Sequence, residues 1–328
     1  MKKDFILNNK INTTDYAKAL QLIEKSRYIL IITHVNPDPD SISSALALSN
    51  LFYENKIKHK VFNISSDLPK SLDFINRYDK ITDQLPKFYD LVISCDCASK
   101  KRFGFEVDET IPIINFDHHD SNDFFGNINL VDPMKSSTAE IIYDFFKFNG
   151  LYITKNSATS LYVGIYDDSL AFSLNRCDEL TFDKVNHLVE FGASPSEIAD
   201  KLKRRDSLSK YRIIPKVLES LELHNEGKIA TIYAKEEWFK ETGAHNRDCD
   251  EVLNMIMKMH IVKVALFVRV VNSSCRISLR SKQKINVAKI ASKYGGGGHL
   301  NASGFSMEST DINSVKNEIL KEIIETTK

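Results

Sequence analysis

The chain has 328 residues, 44 Lys+Arg against 44 Asp+Glu, and 42% hydrophobic residues. That length suits two ordinary domains, and the apolar content at zero net charge excludes a disordered chain. The longest apolar runs, at 28–33 and 264–268, fall far short of the roughly 20 residues of a bilayer-spanning helix.

Residues 1–10 lack the apolar stretch of a signal peptide. Five scattered cysteines (Cys95, Cys97, Cys177, Cys249, Cys275) form no disulfide framework, which points to a reducing compartment and a cytoplasmic protein. Residues 1–200 carry 21 Lys+Arg and 29 Asp+Glu, whereas 201–328 carry 23 and 15. Drift in solvated surface charge explains such counts by themselves. The motifs below give the halves separate work, since carboxylates hold metals and cations hold phosphates.

In chain order, 28–33 (YILIIT) predicts a buried strand, followed by a polar loop and a helix over 42–53. Strands follow at 59–64, 91–95 (LVISC) and 111–116 (IPIINF), then helices at 138–148 and 156–165. Alternating strands and helices predict an α/β fold: a mostly parallel sheet covered by helices on both faces. Residues 178–202 predict two helical pieces broken near Gly192-Ala193-Ser194-Pro195. The basic stretch 201–207 then opens a linker, giving a domain over 1–200, a linker over 201–212 and a second domain over 213–328. A helix at 208–223 and strands at 229–233, 262–271 and 276–279 lead to a glycine run, Gly295–Gly298, before His299. This second part reads as a smaller α/β domain with a mixed sheet, a cleft separating it from the first.

The segment Thr33-His34-Val35-Asn36-Pro37-Asp38-Pro39-Asp40 follows the first strand directly. A His with Asp at +4 and +6 puts three ligand-type side chains on one turn, stiffened by Pro37 and Pro39. A polar turn with an Asp capping the next helix explains this segment equally well on its own. Asp96 follows the 91–95 strand, and Asp117-His118-His119-Asp120 follows the 111–116 strand. In an open parallel sheet these carboxyl ends share one edge, where ligands bind. Asp167-Asp168 closes a helical stretch. Four carboxylates in one crevice raise one another's pKa, and two divalent cations would offset their charge. Mixed carboxylate and imidazole ligands suit Mn²⁺ better than Mg²⁺ or Ca²⁺.

These motifs resemble those of the DHH phosphoesterase superfamily, whose name stands here as Asp117-His118-His119. The whole chain is similar to the two-domain branch of small oligoribonucleases (nanoRNases) and pAp phosphatases. The resemblance implies that His34, Asp38 and Asp96 bind one metal. Asp40, Asp96, His118 and Asp168 would bind the other, with Asp96 bridging. It also implies that His119 contacts the scissile phosphate or protonates the leaving oxygen, while Asp117 orients a ligand from behind. The family's fourth motif, D-T-G-x-F, stands here as Asp168-Ser169-Leu170-Ala171-Phe172, so Leu170 occupies a glycine position. Asp167 competes with Asp168 as ligand.

The basic half ends in Gly295-Gly296-Gly297-Gly298-His299-Leu300-Asn301-Ala302-Ser303-Gly304. Glycines allow positive φ and close approach to an anion, and consecutive amides can form an anion-binding nest. On a strand, Arg276, Ser278 and Arg280 share one face, and Arg280 can fork onto a phosphate. G-G-G-H-x-x-A-S-G after L-R-S is similar to the DHH-associated C-terminal domain. That likeness implies that Arg280, Ser281, Gly296, Gly297, Gly298 and His299 hold the 5′ phosphate or terminal nucleotide. Cys95 and Cys97 read as buried thiols, and Trp238, Tyr233 and Phe239 read as core in preference to a base-stacking platform.

The implied activity is metal-dependent hydrolysis of short 5′-phosphorylated oligonucleotides, of pAp, or of both, with hydroxide generated between two cations. A phosphodiesterase of linear pApA or pGpG would use the same residues. A non-catalytic nucleotide-binding module is the alternative outside the enzymes, supported only by Leu170. Expected partners are short RNA or DNA oligonucleotides or nucleotides, with no membrane and no long duplex nucleic acid. A homodimer is expected on base rates alone.

Overall fold

The computed structural model describes residues 11, 13–65, 68–174, 176–271 and 273–326, except the His299 side chain. Residues 1–10, read above for a signal peptide, lie outside that description. The chain divides into two compact units, Met1–Arg205 and Asp206–Lys328.

The first unit runs α1 (Thr13–Lys25), β1 (Ile29–Thr33), α2 (Pro39–Glu54), β2 (His59–Phe62), β3 (Ile81–Thr82), β4 (Leu91–Cys95), β5 (Ile113–Asp117), β6 (Ile128–Val131), α3 (Thr138–Phe148), α4 (Lys155–Asp168), α5 (Glu179–Glu190) and α6 (Pro195–Lys203). All six strands are parallel, in the order β3-β2-β1-β4-β5-β6. The chain leaves β1 toward β2 and returns on the other side as β4, so the carboxyl ends of β1 and β4 flank a topological switch point. β1, β4 and β5 are buried along their whole length, and their largely apolar runs enclose only a few polar residues, among them Ser94 of β4 and Asn115 of β5.

The helices pack on one face only. Ile29 and Ile31 of β1 join the core built with α1 to α6. Leu30 and Ile32 turn to a second core with Phe62, Val92, Phe103 and Ile113, backed by Tyr89, Phe105 and Phe125 from loops. The expectation of helices on both faces therefore holds for one. The β4–β5 and β5–β6 connections carry no helical apolar period and cover the sheet as loops with a single 3₁₀ turn at Lys100–Phe103.

Helices α2 and α4 meet through small residues. Ser157 Oγ reaches the Ala47 carbonyl at 3.5 Å, and Asn50 Nδ2 reaches Ser160 Oγ at 3.4 Å. A Cβ on Gly164 would lie 2.6 Å from Asp40 Oδ1 and 2.8 Å from Ser43 Oγ. The two helices thus run antiparallel, which brings the end of α4 to the start of α2.

The second unit runs α7 (Leu208–Glu219), β7 (Glu222–His224), β8 (Ile229–Ala234), α8 (Glu236–Thr242), α9 (Asp250–Met257), β9 (Val264–Val271), β10 (Ser274–Ser281), α10 (Ala288–Lys293), β11 (Gly297–His299), β12 (Ala302–Met307) and α11 (Ile312–Thr326). Its sheet is mixed, in the order β11-β12-β10-β9-β8-β7, with only β8 and β9 parallel. Val264, Leu266 and Val268 face α10 and α11, while Ala265 and Phe267 face α7 and α9. The helix predicted over 208–223 stops at Glu219, because the Ser220 hydroxyl caps the Val217 carbonyl at 2.7 Å and the chain turns into β7.

Candidate active site

Each ligand-type residue of the first unit sits where a strand or helix ends. His34 follows β1, Asp96 follows β4, Asp117 closes β5 with His118 next, and Asp168 closes α4. Three groups have donor atoms all within 4.8 Å of one another: His34, Asp38 and Asp96; Asp40, His118 and Asp168; and Asp96, His118 and His119. All six sequence-predicted ligands are thereby brought together.

His34 Nδ1 lies 2.8 Å from the Val35 carbonyl. A carbonyl only accepts, so Nδ1 carries the proton and Nε2 of the neutral ring presents a lone pair. Nε2 is buried without a hydrogen-bond partner, 3.5 Å from Asp38 Oδ2 and 3.6 Å from Asp96 Oδ2. Three acceptors facing one point require a cation between them. Two atoms each about 2.1 Å from one ion lie roughly 3.0–3.5 Å apart, close to these separations. Without a metal ion, a proton takes that place. Burial disfavours it, but hydrogen bonding of the protonated ring to Asp38 and Asp96, with the charge of Asp38, overcomes burial and raises the imidazole to about 10.

Asp38 serves both readings made from sequence. Its Oδ1 accepts the Ser41 amide at 2.9 Å and caps α2, while its Oδ2 faces His34. Asp96 divides its oxygens too: Oδ2 faces His34 Nε2, and Oδ1 lies 3.6 Å from His118 Nε2. Its backbone is left-handed, with φ of 62°, a strain that persists only where the surroundings enforce it. His118 Nε2 also lies 3.3 Å from Asp168 Oδ2.

Burial, then the charges of Asp96, Asp168 and Asp38, pushes the Asp40 carboxyl well above its usual range. Burial and the charge of Asp96 do the same to Asp168. Asp96 is held far below that range, because the His34 hydrogen bond and the charges of His119, His118 and His34 overcome its burial. Four carboxylates cannot all ionise here without added positive charge, so the donor set fits divalent cations. Asp167 belongs to none of the groups and lies 3.8 Å from Lys203 Nζ. The geometry thus separates the two neighbouring aspartates in favour of Asp168.

His119 turns Nδ1 to Asp117 Oδ1 at 2.7 Å, and Asn122 Nδ2 donates to Asp117 Oδ2. Asp117 therefore stands behind His119, not His118. Burial opposes a charge on His119, but the Asp117 hydrogen bond and the charges of Asp96 and Asp117 raise it to about 9.

Sequence reasoning missed Thr138. Its Oγ1 donates to Asp96 Oδ1 at 2.9 Å, its amide donates to Asp40 Oδ2 at 2.7 Å, and the Ala139 amide donates to Asp40 Oδ1 at 3.1 Å. The signal was present: Ser137-Thr138-Ala139-Glu140 is a capping-box pattern at the start of an apolar helix. Cys95 and Cys97 are buried free thiols; Trp238 and Tyr233 stack on each other at 5.5 Å, and with Phe239 they are partly buried against the cores of the second unit.

In the second unit, Arg276, Ser278 and Arg280 share the face of β10 opposite the buried Cys275, Ile277 and Leu279. Arg280 Nη1 donates to the Leu279 carbonyl at 3.0 Å. Ser281 is buried; its hydroxyl donates to the Ile285 carbonyl at 2.6 Å and accepts Asn301 Nδ2 at 2.9 Å. The glycine run is no open nest. The Gly295 and Gly296 amides close the end of α10 on Ser292 and Ala291, and Gly297–His299 pairs with β12 as β11. A Cβ on Gly296 would collide with the Gly304 carbonyl, and one on Gly298 with that of Ala302. Those two glycines thus admit a close backbone ladder, while Gly297 is exposed with open space around it. The predicted role of the His299 side chain lies outside the described residues.

Residues 28–165 match the family model described as the DHH family, N-terminal domain, and residues 226–328 match the DHHA1 domain. The chain is 28% identical over 312 residues to the bifunctional oligoribonuclease and PAP phosphatase NrnA of Thermus thermophilus, covering 94% of this chain and 92% of that protein. It is 26% identical over 290 residues to the protein of the same name in Bacillus subtilis, covering 86% and 90%. An exopolyphosphatase-related protein from Bacteroides fragilis has the same fold, with a TM-score of 0.87, 24% identity and 97% coverage of both chains. With the two models matched in series, the chain joins a domain of the DHH family, residues 28–165, to a DHHA1 domain, residues 226–328, and it is similar over most of its length to these relatives.

Proposed function

We propose that this protein is a metal-dependent hydrolase that cleaves short 5′-phosphorylated oligonucleotides, and pAp, to mononucleotides. The observation that carries the reading is Asp96, which turns one carboxylate oxygen to His34 and the other to His118. His34, Asp38 and Asp96 would hold one cation, and Asp40, Asp96, His118 and Asp168 the other, with manganese favoured by the mixed nitrogen and oxygen donors. When bound, the cations supply Lewis acidity toward phosphoryl oxygens and a nucleophile derived from water. His119, oriented by Asp117 through its Nδ1, gives a proton to the leaving oxygen.

In the second unit, Arg280 and the 297–299 segment hold the terminal phosphate, with Ser281 and Gly296 fixing the backbone behind them. The names of the Thermus and Bacillus relatives support both substrate classes. The free cysteines support a reducing, cytoplasmic setting, and no helix among the described residues is long and apolar enough to cross a membrane.

The test is hydrolysis of a 5′-phosphorylated dinucleotide, a longer oligonucleotide and pAp, each with Mn²⁺ or with chelator. Mn²⁺-dependent release of mononucleotides, fastest from the shortest chain, is expected. Absence of turnover on all three, with metal bound, would overturn the reading in favour of a binding module.

A further inference from the structure

The turn formed by residues 136–139 donates three hydrogen bonds to metal-site carboxylates: two to Asp40 from the Thr138 and Ala139 amides, and one to Asp96 from the Thr138 hydroxyl. Something must hold that turn, because one carboxylate binds it at the start of α2 and the other at the end of β4. Glu140 does so from below. Its side chain is buried, and Oε1 accepts the Ser136 amide at 3.0 Å, the Ser136 hydroxyl at 2.6 Å and the Thr181 hydroxyl at 3.2 Å. Its Oε2 accepts Lys184 Nζ at 3.1 Å, and the same ammonium reaches Asp144 Oδ2 at 2.7 Å.

An ordinary capping box would send the Glu140 carboxylate back to the amide of the cap residue, Ser137. Here Ser137 Oγ accepts the Glu140 amide at 3.3 Å, but the carboxylate bonds Ser136, one residue earlier. The displaced bond ties the strand-to-helix turn to α5, which supplies Thr181 and Lys184. A buried ion pair is weak evidence for stability, and in some proteins it serves to fix one geometry. Both Glu140 carboxylate oxygens are bonded and the Lys184 ammonium bridges two carboxylates, which makes this a connected buried polar network.

We infer that Glu140, locked by Lys184 and Thr181, is a positioning residue of the metal centre, acting through the 136–139 turn on Asp40 and Asp96. Thr138 is the contact through which it acts on Asp96. The inference rests on the reading of Asp40 and Asp96 as metal ligands. Loss of outer partners of metal ligands weakens metal binding about 10- to 100-fold.

The test is calorimetric titration of Mn²⁺ into the metal-free full chain and into Thr138→Val, Glu140→Gln and Ser136→Ala, with circular dichroism to verify folding. Each single variant should bind Mn²⁺ about 10- to 100-fold more weakly. The Thr138→Val/Glu140→Gln double variant should lose less than the product of the two single losses, because both act through one turn. Wild-type affinity in folded Glu140→Gln, or losses that multiply in the double variant, would overturn the inference and leave Glu140 as packing. Should Glu140→Gln fail to fold, Ser136→Ala decides, since it removes one hydroxyl from the same link. No Mn²⁺ binding by the wild-type chain would instead overturn the metal reading itself.

Discussion

Gly164 of α4 leaves the room that Asp40 occupies at the start of α2: a Cβ at that position would sit 2.6 Å from Asp40 Oδ1 and 2.6 Å from Ala139 Cβ. One missing methyl group thus admits both the carboxylate proposed as a metal ligand and the turn that holds it. Gly164→Ala must displace one of them. Overpacking of this kind costs typically about 1–3 kcal/mol, so denaturant unfolding should show a loss in that range, with turnover falling at least about tenfold because the displaced group belongs to the site. Unchanged turnover would mean that α4 shifts as a body and Asp40 stays in place.

Leu170, at the family's glycine position, has φ of 50°, and Ala171 and Phe172 follow at 55° and 64°. The turn is closed by Ala171 N on the Tyr166 carbonyl and Phe172 N on Ser169 Oγ. The left-handed region costs a non-glycine residue roughly 1–2 kcal/mol, and the Leu170 side chain is 58% exposed, so its packing offsets little of that. Leu170→Gly should therefore stabilise the chain by about 1 kcal/mol, after the larger entropy loss of glycine. A destabilised variant would show that Leu170 makes contacts that outweigh its strain.

His118 lies near both Asp96 and Asp168. His118→Ala removes the only imidazole from the Asp40 and Asp168 group. Metal content measured after dialysis should fall from two ions per chain toward one, and hydrolysis should fall by more than the about 100-fold typical of outer-partner losses. Near-normal turnover with two ions bound would reject this ligand set.

Metal binding should release protons. In the metal-free site His34 is raised to about 10, and Asp40 and Asp168 are raised above the carboxylate range, so protons occupy positions that cations must take. Ligands bind metal deprotonated, so apparent Mn²⁺ affinity rises with pH, by about tenfold per unit for each proton released. The dependence attributable to His34 should persist across pH 6–9 and level off above its metal-free value. Calorimetry in buffers of different ionisation enthalpy counts the protons directly, and a count of zero would contradict the protonation scheme.

Arg280→Ala should raise KM strongly for a 5′-phosphorylated dinucleotide and much less for a small artificial phosphodiester that lacks the terminal phosphate. Equal effects on the two substrates would make Arg280 structural, its guanidinium serving chiefly the Leu279 carbonyl it already bonds.

Four strands of the first sheet, their parallel sense and the ligand types at the ends of three of them were legible in the sequence, whereas the short β3 and β6 and the strand order were not. Largely apolar runs that stop at His34, Asp96 and Asp117 are local features, and the convergence of parallel strand ends on one edge follows from topology. The choice between Asp167 and Asp168 was not local. Neighbouring residues on a helix point about 100° apart, and only the small-residue packing of α4 on α2 decides which one faces the site. Thr138 and Glu140 became part of the site through contacts with residues as far as 98 and 44 positions away. The glycine run read as an open phosphate nest because its composition permits one. Its pairing with β12 and its bonds to α10 are tertiary decisions, made where another backbone approached too closely for any side chain.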